Sequence, residues 1–558
     1  MELKKLHCSD AARLRAEHHG LYDLRAEPAG LRAFLHSGRE VTIEAAQLAE
    51  DAPNAFDPHS GQRTRPVVRS AAPPILSAAR ATTQGVEIEF ASGDAVTLSY
   101  GALADLCRTP GDERRDRLDG DALPIRGCAV TRFFAESAER RTAFATVVRD
   151  GVCLLHDLPT EPGALERVVA TFGAVRETNY GRVFDVRVEP RPDNLAFSAA
   201  ALAPHTDNPY REPPPSLQLL HCLQAAEDGG ETILIDGFAA AERFRAAEPA
   251  AFAELAQVAV RFAWRGPDVR LEARAPVVTL DVDGNIVALR VNDRALAPLD
   301  IALERRTSWR RAYAAFMAAI EGEPRATRLA LAPGDVLILD NRRILHSRSA
   351  YGGGARWLQG CYAERADLLS SLALLEEAEA RARAGEALDL LAGPAGDALY
   401  GEGMSLRSHA LQAASRARAE RRPEAFVAAA LLHDIGWALA AGPHDISGAW
   451  FAAARFGDAV ATPIALHVAA KRYLVSVEPS YEVGLSSASR ATLAEQGGPM
   501  TPAEVDVFET RLGFADAVAL RRIDDLAKDA NQETLPLDAF QDLLTGLALK
   551  AVRAEERH

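Results

Sequence analysis

Cysteine is scarce in this chain. Six stand among 558 residues, at 8, 107, 128, 153, 222 and 361, and no two are spaced as CxxC. That excludes a cysteine-built zinc module and fits reduced thiols rather than a disulfide framework. Long apolar runs are also missing. None approaches the roughly 20 residues that a membrane span needs. Met1-Glu-Leu-Lys-Lys leads into no apolar segment, so the expectation is a cytoplasmic chain with no membrane partner. Positive charge is in deficit: 63 Lys and Arg face 78 Asp and Glu, for a net charge of −15. A general nucleic-acid binder is therefore not expected. Aromatic residues make up only 6% of the chain, so aromatic clusters in it carry information. No internal repeat or low-complexity tract is present.

The length is too great for one core and predicts about three or four domains. Residues 1–118 read as a small β-rich domain, with alternating strands at Val86–Phe90 and from Ala95 around a Ser-Gly-Asp turn. Residues 119–368 mix strands (151–156, 216–222, 231–236) with helices at 142–150 and 162–172. That pattern predicts a double-stranded β-helix, or jelly roll. Residues 369–390 predict a connecting helix. Residues 391–558 carry apolar positions at 3.6 spacing and predict an all-α domain, with helices at 408–419, 425–441, 447–456, 462–473, 502–512 and 515–527.

Within the middle segment, His205-Thr206-Asp207 places a His and an Asp two apart, on one side of an extended chain. Far downstream, an apolar strand (Val336 to Asp340) runs into a turn expected to present His346. Two His and one carboxylate on a β scaffold predict a facial Fe(II) site. Arg356, ten residues after His346, suits a bidentate grip on the distal carboxylate of 2-oxoglutarate.

The helical segment holds a second set. His433 and Asp434 end an apolar run, Ala428-Ala-Ala-Leu-Leu-His-Asp. His409 precedes them, and His444, His467 and Asp524 follow. Neighbouring helices can converge such groups inward. His409, His433, Asp434 and Asp524 make a minimal mononuclear set; adding His444 and His467 gives six ligands, enough for two metals bridged by Asp434. Lys471 lies one helical turn after His467 and should face the same pocket.

Two resemblances follow from longer motifs. Arg176-Glu-Thr-Asn-Tyr-Gly-Arg-Val-Phe-Asp, Asp193-Asn-Leu-Ala-Phe, His205-Thr-Asp-Asn-Pro-Tyr-Arg-Glu-Pro-Pro-Pro, Leu219-Leu-His-Cys-Leu and Asp340-Asn-Arg-Arg-Ile-Leu-His make residues 1–368 resemble the gamma-butyrobetaine hydroxylase family. The resemblance implies His205, Asp207 and His346 as Fe(II) ligands, and Arg356 with Thr232 for 2-oxoglutarate. It implies an aromatic cage for a trimethylammonium group from Tyr180, Phe184, Phe197 and Tyr362, with Asn194 and Asn292 on the substrate side. Such rings stabilise a quaternary cation that cannot hydrogen-bond. The family's amino-terminal zinc ligands are not matched, because residues 49–63 contain no Cys; no zinc is expected there.

Tyr400-Gly-Glu402, Leu466-His-Val-Ala-Ala-Lys471-Arg-Tyr-Leu, Gln496-Gly-Gly-Pro-Met and Arg521-Arg-Ile-Asp-Asp-Leu-Ala-Lys make residues 391–553 similar to HD-domain oxygenases. Those enzymes use an Fe(II)/Fe(III) pair to cleave the carbon–phosphorus bond of 1-hydroxy-2-aminoalkylphosphonates. The resemblance implies Tyr400 and Glu402 as gating residues and Lys471 as a phosphonate partner. Together the two implied activities predict a bifunctional enzyme of phosphonate breakdown. O2 is co-substrate to both, ascorbate is an aid to the first, and a homo-oligomer is expected. Two other readings stay open: a gamma-butyrobetaine hydroxylase fused to an HD phosphohydrolase, and one fused to a non-catalytic HD sensor.

Overall fold

The computed structural model describes residues 4–5, 21–35, 40–50, 55–57, 60, 62–63, 74–82, 86–98, 103, 106–107, 122–189, 195–266, 268–352, 356–400, 403–439, 442–529 and 532–555. They divide into two compact units. One comprises Met1–Glu113 with Ala380–Val552, the other Arg114–Glu379 with Arg553–His558.

The second unit is built on two antiparallel-rich sheets. A six-stranded sheet runs in the order Phe184–Arg187, Trp357–Ala363, Leu217–Gln224, Val336–Asp340, Val152–His156, Gly127–Ala129. A four-stranded sheet runs Leu202–His205, Ile344–Arg348, Thr232–Asp236, Thr327–Leu329. Side-chain alternation explains how the larger sheet is covered on both faces. Leu217, Leu219, Val336 and Ile338 pack with residues of the helices Ser137–Asp150 and Ala164–Val169. Their neighbours Leu220, Cys222, Leu337 and Leu339 face the other way, against Leu234 and Ile344 of the smaller sheet. Burial on both faces is why these strands read as continuous apolar runs.

Between the strands Thr232–Asp236 and Thr327–Leu329 the chain forms an excursion with its own core. Its helices Gly237–Ala247, Pro249–Gln257 and Arg306–Glu321 pack with the hairpin Val260–Arg265/Arg270–Ala275 around Phe244, Phe262, Trp309 and Phe316. Asp236 caps the first of these helices, accepting from the backbone N–H groups of Phe238 and Ala239.

In the first unit, the amino-terminal strands form a four-stranded and a three-stranded sheet around Leu31, Ile43, Val86, Ile88 and Leu98. The carboxy-terminal part is helical. Leu406–Ala419, Glu424–Leu432, His444–Phe456, Asp458–Val477, Phe514–Leu526 and Gln541–Glu555 surround a core rich in alanine. Ala410, Ala413, Ala414 and Ala417 on one helix and Ala428, Ala429 and Ala430 on the next are fully buried. Small side chains at these places let the backbones approach closely.

Several local expectations shift. The helix expected over 425–441 is two pieces, Glu424–Leu432 and Gly436–Leu439. The chain turns at His433-Asp434-Ile435, which brings both acidic and imidazole groups off the helix end. The connecting helix is longer than its apolar pattern and spans Arg365–Ala392. His346 does not sit in the turn after Val336–Asp340 but on the next strand, Ile344–Arg348.

Candidate metal centres

In the sheet unit, strand pairing assembles the first centre. His205 and His346 are direct cross-strand partners, their rings 4.3 Å apart. Directly opposed residues on one sheet face must be neighbours, so two His separated by 140 residues of chain meet through register alone. Asp207 stands just past the strand end. Its carboxylate oxygens lie 3.5 Å from His205 Nε2 and 3.9 Å from His346 Nε2.

The segment that carries Asp207 is held from three sides. The Asp207 backbone N–H donates to Asn341 Oδ1 (2.7 Å), and Asn341 Nδ2 donates to the carbonyls of Asp207 and Pro215. Tyr362 O–H donates to Asp207 Oδ2 at 2.8 Å, and Gln218 Nε2 donates to the same oxygen. His205 Nδ1 donates to the Ala203 carbonyl (2.8 Å), which leaves Nε2 as the bare, lone-pair nitrogen facing Asp207. Burial and the neighbouring His205 push the His346 imidazolium pKa down to about 3, so that ring is neutral, the form that ligates metals. Burial opposes ionisation of Asp207, but His205, His346 and Tyr362 overcome it and hold the carboxylate charged. Two imidazoles beside a charged carboxylate, clustered within 4.8 Å, fit Fe(II).

A cavity of about 260 Å³ opens over this triad between the sheets. Arg356 and Thr232 line it, both buried. The Arg356 guanidinium lies 5.7 Å from the Tyr351 ring and has no carboxylate partner among the described residues. The structure also brings the four expected aromatic positions to this cavity. Phe184 lies 5.2 Å from Tyr362 and 5.8 Å from Tyr180. Gly360 opposes Phe184 across the strands; a Cβ there would meet the Phe184 ring at 2.6 Å, so only glycine lets that ring lie flat over the sheet. Phe197 lines the cavity but touches none of the other three rings among the described residues.

Tyr362 does double duty, since its hydroxyl is engaged by Asp207. Asn292 is buried, and its Nδ2 donates to the Thr206 carbonyl while Oδ1 has no partner. Asn194 lies outside the described residues. Residues 51–54, 58–59 and 61 of the cysteine-free stretch lie outside them too.

Three lining residues were not singled out in the sequence. Trp264, on the strand Val260–Arg265, lies 5.7 Å from Tyr180 and 6.2 Å from Tyr210. Tyr210 shares a hydrogen bond with Tyr180 (3.1 Å between hydroxyls) and donates to Asn208 Oδ1 at 2.6 Å. Asn208 Nδ2 is then buried without an acceptor at the cavity wall. Tyr210 and Asn208 belong to the same short motif as His205, so proximity to it was the available signal. Trp264 sits in the excursion and offered none.

In the helical part, six ligand groups form two adjoining seats. His409, His433 and Asp524 make one; Asp434, His444 and His467 make the other. The His409 and His433 Nε2 atoms are 3.1 Å apart, and those of His444 and His467 are 3.2 Å apart. Asp434 lies between the seats. Its Oδ2 is 3.5 Å from His409 and 3.4 Å from His433; its Oδ1 is 3.4 Å from His444 and 3.7 Å from His467.

Three of the imidazoles are fixed through their other nitrogen. His409 Nδ1 donates to the Ala527 carbonyl, His433 Nδ1 to Ala430 and His467 Nδ1 to Ile464, at 2.9, 2.9 and 2.6 Å. Arg521 donates to Asp524 Oδ2 at 2.6 Å. Burial works against the Asp524 charge, but Arg521 and His409 more than offset it. His467 is held neutral, at about 3, by burial and by His444. Tips converging with Nε2 bare and Nδ1 anchored fit two metal ions, and unlike a phosphate pocket the donor set is imidazole and carboxylate.

The cavity against the second seat measures about 410 Å³. Lys471 lines it one turn beyond His467, as the spacing required. Its Nζ donates to Thr492 Oγ1 at 2.9 Å and has no carboxylate partner among the described residues. Burial and Arg521 lower its pKa to about 8. Ser489, Thr492, Gln496 and Lys528 complete the polar wall. The backbone of Tyr400 lies in a two-residue strand paired with Met404–Ser405; its side chain and Glu402 lie outside the described residues.

No helix among the described residues is long and apolar enough to cross a membrane. Residues 124–362 match the family described as "Taurine catabolism dioxygenase TauD, TfdA family". The chain is 39% identical over 234 residues to gamma-butyrobetaine dioxygenase of Pseudomonas sp. (strain AK-1), covering 41% of this chain and 61% of that protein. It is 28% identical over 240 residues to the human gamma-butyrobetaine dioxygenase, covering 42% and 62%. The chain thus spans about three-fifths of the length of these curated relatives. A solved asparagine oxygenase, in complex with Fe(II), 2S,3S-3-hydroxyasparagine and succinate, aligns at 21% identity over 41% of this chain and 80% of that one, with a TM-score of 0.33. Residues 124–362 of the sheet unit are thus similar in sequence to the TauD/TfdA family and to gamma-butyrobetaine dioxygenases.

Proposed function

We propose that this chain performs two consecutive oxidations on a 2-aminoethylphosphonate, the first in the sheet unit and the second in the helical domain. The first is hydroxylation at the carbon bearing phosphorus, with 2-oxoglutarate oxidised to succinate and CO2. The observation that supports it is the grouping of His205, Asp207 and His346 with Arg356, which has no carboxylate partner among the described residues, in one cavity walled by aromatic rings. Fe(II) held by those three would supply O2 activation, and the surrounding topology reads as a double-stranded β-helix. Arg356 and Thr232 would orient 2-oxoglutarate. Tyr180, Phe184, Phe197 and Tyr362 would face a quaternary ammonium, which favours 2-trimethylaminoethylphosphonate. The Asn208 amide, which has no acceptor among the described residues, would donate to the anionic end of the substrate.

The second step takes the 1-hydroxyphosphonate and O2 to a carboxylate and inorganic phosphate; from the trimethyl substrate the products are glycine betaine and phosphate. Atoms balance: the carbon–phosphorus and C1–H bonds break, and one oxygen is added to carbon and one to phosphorus. The HD-type seats of His409, His433, Asp434, His444, His467 and Asp524 would hold two iron ions that supply the O2 chemistry. Lys471, buried and without a carboxylate partner among the described residues, would hold a phosphonate oxygen beside them. Tyr400 and Glu402 are proposed to gate this cavity.

Phosphorus NMR of the iron-loaded chain with 2-trimethylaminoethylphosphonate, ascorbate and 2-oxoglutarate tests the reading. Phosphate release that requires both O2 and 2-oxoglutarate is the expected outcome. A hydroxyphosphonate signal without phosphate would remove the second step. An unchanged substrate with turnover of gamma-butyrobetaine would remove the phosphonate assignment. His433→Ala should leave hydroxyphosphonate to accumulate; unchanged phosphate release from that variant would favour a sensor role for the helical domain. O2-independent hydrolysis of phosphate esters would favour a phosphohydrolase.

A further inference from the structure

Of the four imidazoles at the helical seats, His444 lacks the anchor the others share. His433 and His467 each lie within or just past a helix and reach back to the carbonyl three residues earlier. His444 is the first residue of its helix, His444–Phe456. No hydrogen bond to its Nδ1 occurs among the described residues. Yet its Nε2 lies 3.2 Å from that of His467 and 3.4 Å from Asp434 Oδ1.

Something else must orient the ring, and Trp437 is placed to do it. The indole lies face to face with the His444 imidazole, ring centres 4.7 Å apart and planes 15° from parallel. Other ring pairs at the seats are steep: 61° for His409 with His433 and 65° for His444 with His467. The backbone reinforces the pairing. Gly436 lies so close to His444 that a Cβ would sit 2.0 Å from the His444 carbonyl oxygen. The short helix Gly436–Leu439, which follows directly on His433-Asp434, is therefore pressed against the start of the His444 helix.

We propose that Trp437 is the positioning residue of the second metal seat, fixing the His444 imidazole by stacking where its companions use carbonyl hydrogen bonds. The inference rests on the metal reading of the six-ligand cluster. A stacked ring loses rotational freedom about its Cβ–Cγ bond before metal arrives, so less ordering is left to the binding step. Partners that orient a ligating imidazole are worth about 10- to 100-fold in metal affinity. The effect falls on one seat, because among the described residues the ligand that Trp437 stacks on is His444.

The test uses the full chain with His205→Ala, which removes the sheet-borne site from the count. Iron bound per chain is measured anaerobically against graded chelator. The parent should hold two ions. Trp437→Leu keeps bulk and apolarity but loses the flat face, so its second ion should be released at about 10- to 100-fold higher free Fe(II), with the first retained. Trp437→Phe should restore two ions near the parent affinity, and His444→Ala should match the Leu variant. Because Trp437 is 54% exposed, these variants should keep the parent's circular dichroism. Two ions held by Trp437→Leu at parent affinity would overturn the positioning role. A parent chain holding none at the cluster would instead overturn the metal reading itself, before any variant is compared.

Discussion

Lys471 shows how one buried side chain sets a pH limit. Burial favours the neutral amine, so its pKa falls to about 8; the ammonium is present below that value and lost above it. Binding of a phosphonate in the helical cavity should therefore be full at pH 7 and decline as pH rises through 8. Calorimetric titration of the chain with a 1-hydroxyphosphonate across pH 6.5–9.5 would measure it. Lys471→Arg should flatten the decline, and Lys471→Met should bind weakly at every pH. In the sheet unit, Arg356→Met should weaken 2-oxoglutarate by about 2–5 kcal/mol, the cost of losing one partner of a buried charge pair. The measurement is KM for 2-oxoglutarate with iron content checked as unchanged. Residues of this kind were legible because motif and spacing carry them: His205, Asp207, Arg356, His433 and Lys471 each sit in a pattern that chemistry demands. Trp264 was not, because an aromatic in a hairpin of the excursion looks like core until the fold turns it toward the Tyr180 ring.

At the level of elements, register governs the first site. Phe184 lies over Gly360 because those two residues are cross-strand partners. Gly360→Ala should displace the ring, at an overpacking cost of about 1–3 kcal/mol. The expected reading is a raised KM for the quaternary amine with iron and 2-oxoglutarate binding kept; an unchanged KM would show that Phe184 does not face the amine. Strand existence was readable from apolar runs such as Val336-Leu-Ile-Leu. Pairing order was not, since strands that meet, such as Val152–His156 with Val336–Asp340, lie far apart in the chain and nothing local encodes the partner. For the same reason His346 was expected in a turn, whereas hydrogen bonding to the strands on either side extends it onto Ile344–Arg348. The helix over 425–441 reads as unbroken because Ala425 to Leu432 is wholly apolar, whereas the chain breaks at His433–Ile435 and resumes as Gly436–Leu439, with Gly436 close against His444.

For the whole molecule, the two proposed chemistries on one chain make a prediction about mixtures. On that proposal a chain with His205→Ala would not start the sequence and one with His433→Ala would not finish it. Mixed together, they should release phosphate from 2-trimethylaminoethylphosphonate after a lag that the intact chain does not show, because tethering raises the local concentration of the intermediate. A mixture as prompt as the intact chain would show that tethering contributes nothing to flux. The division of the chain into units was only partly readable: composition marks where strands give way to helices, but the grouping of Met1–Glu113 with Ala380–Val552 is a matter of long-range packing.

The placement of Asp434 between the two helical seats has a further consequence. One seat has three private ligands, His409, His433 and Asp524; the other has two, His444 and His467, and both draw on a single shared carboxylate. If the seats hold metal as proposed, loading should be ordered, with the richer seat filling first. Under iron starvation such a chain would pass through a defined half-filled form, able to begin work on its substrate yet unable to complete it. Iron supply would thereby decide whether a cell holding this protein keeps the phosphorus or is left with an oxidised, still phosphorus-bearing product.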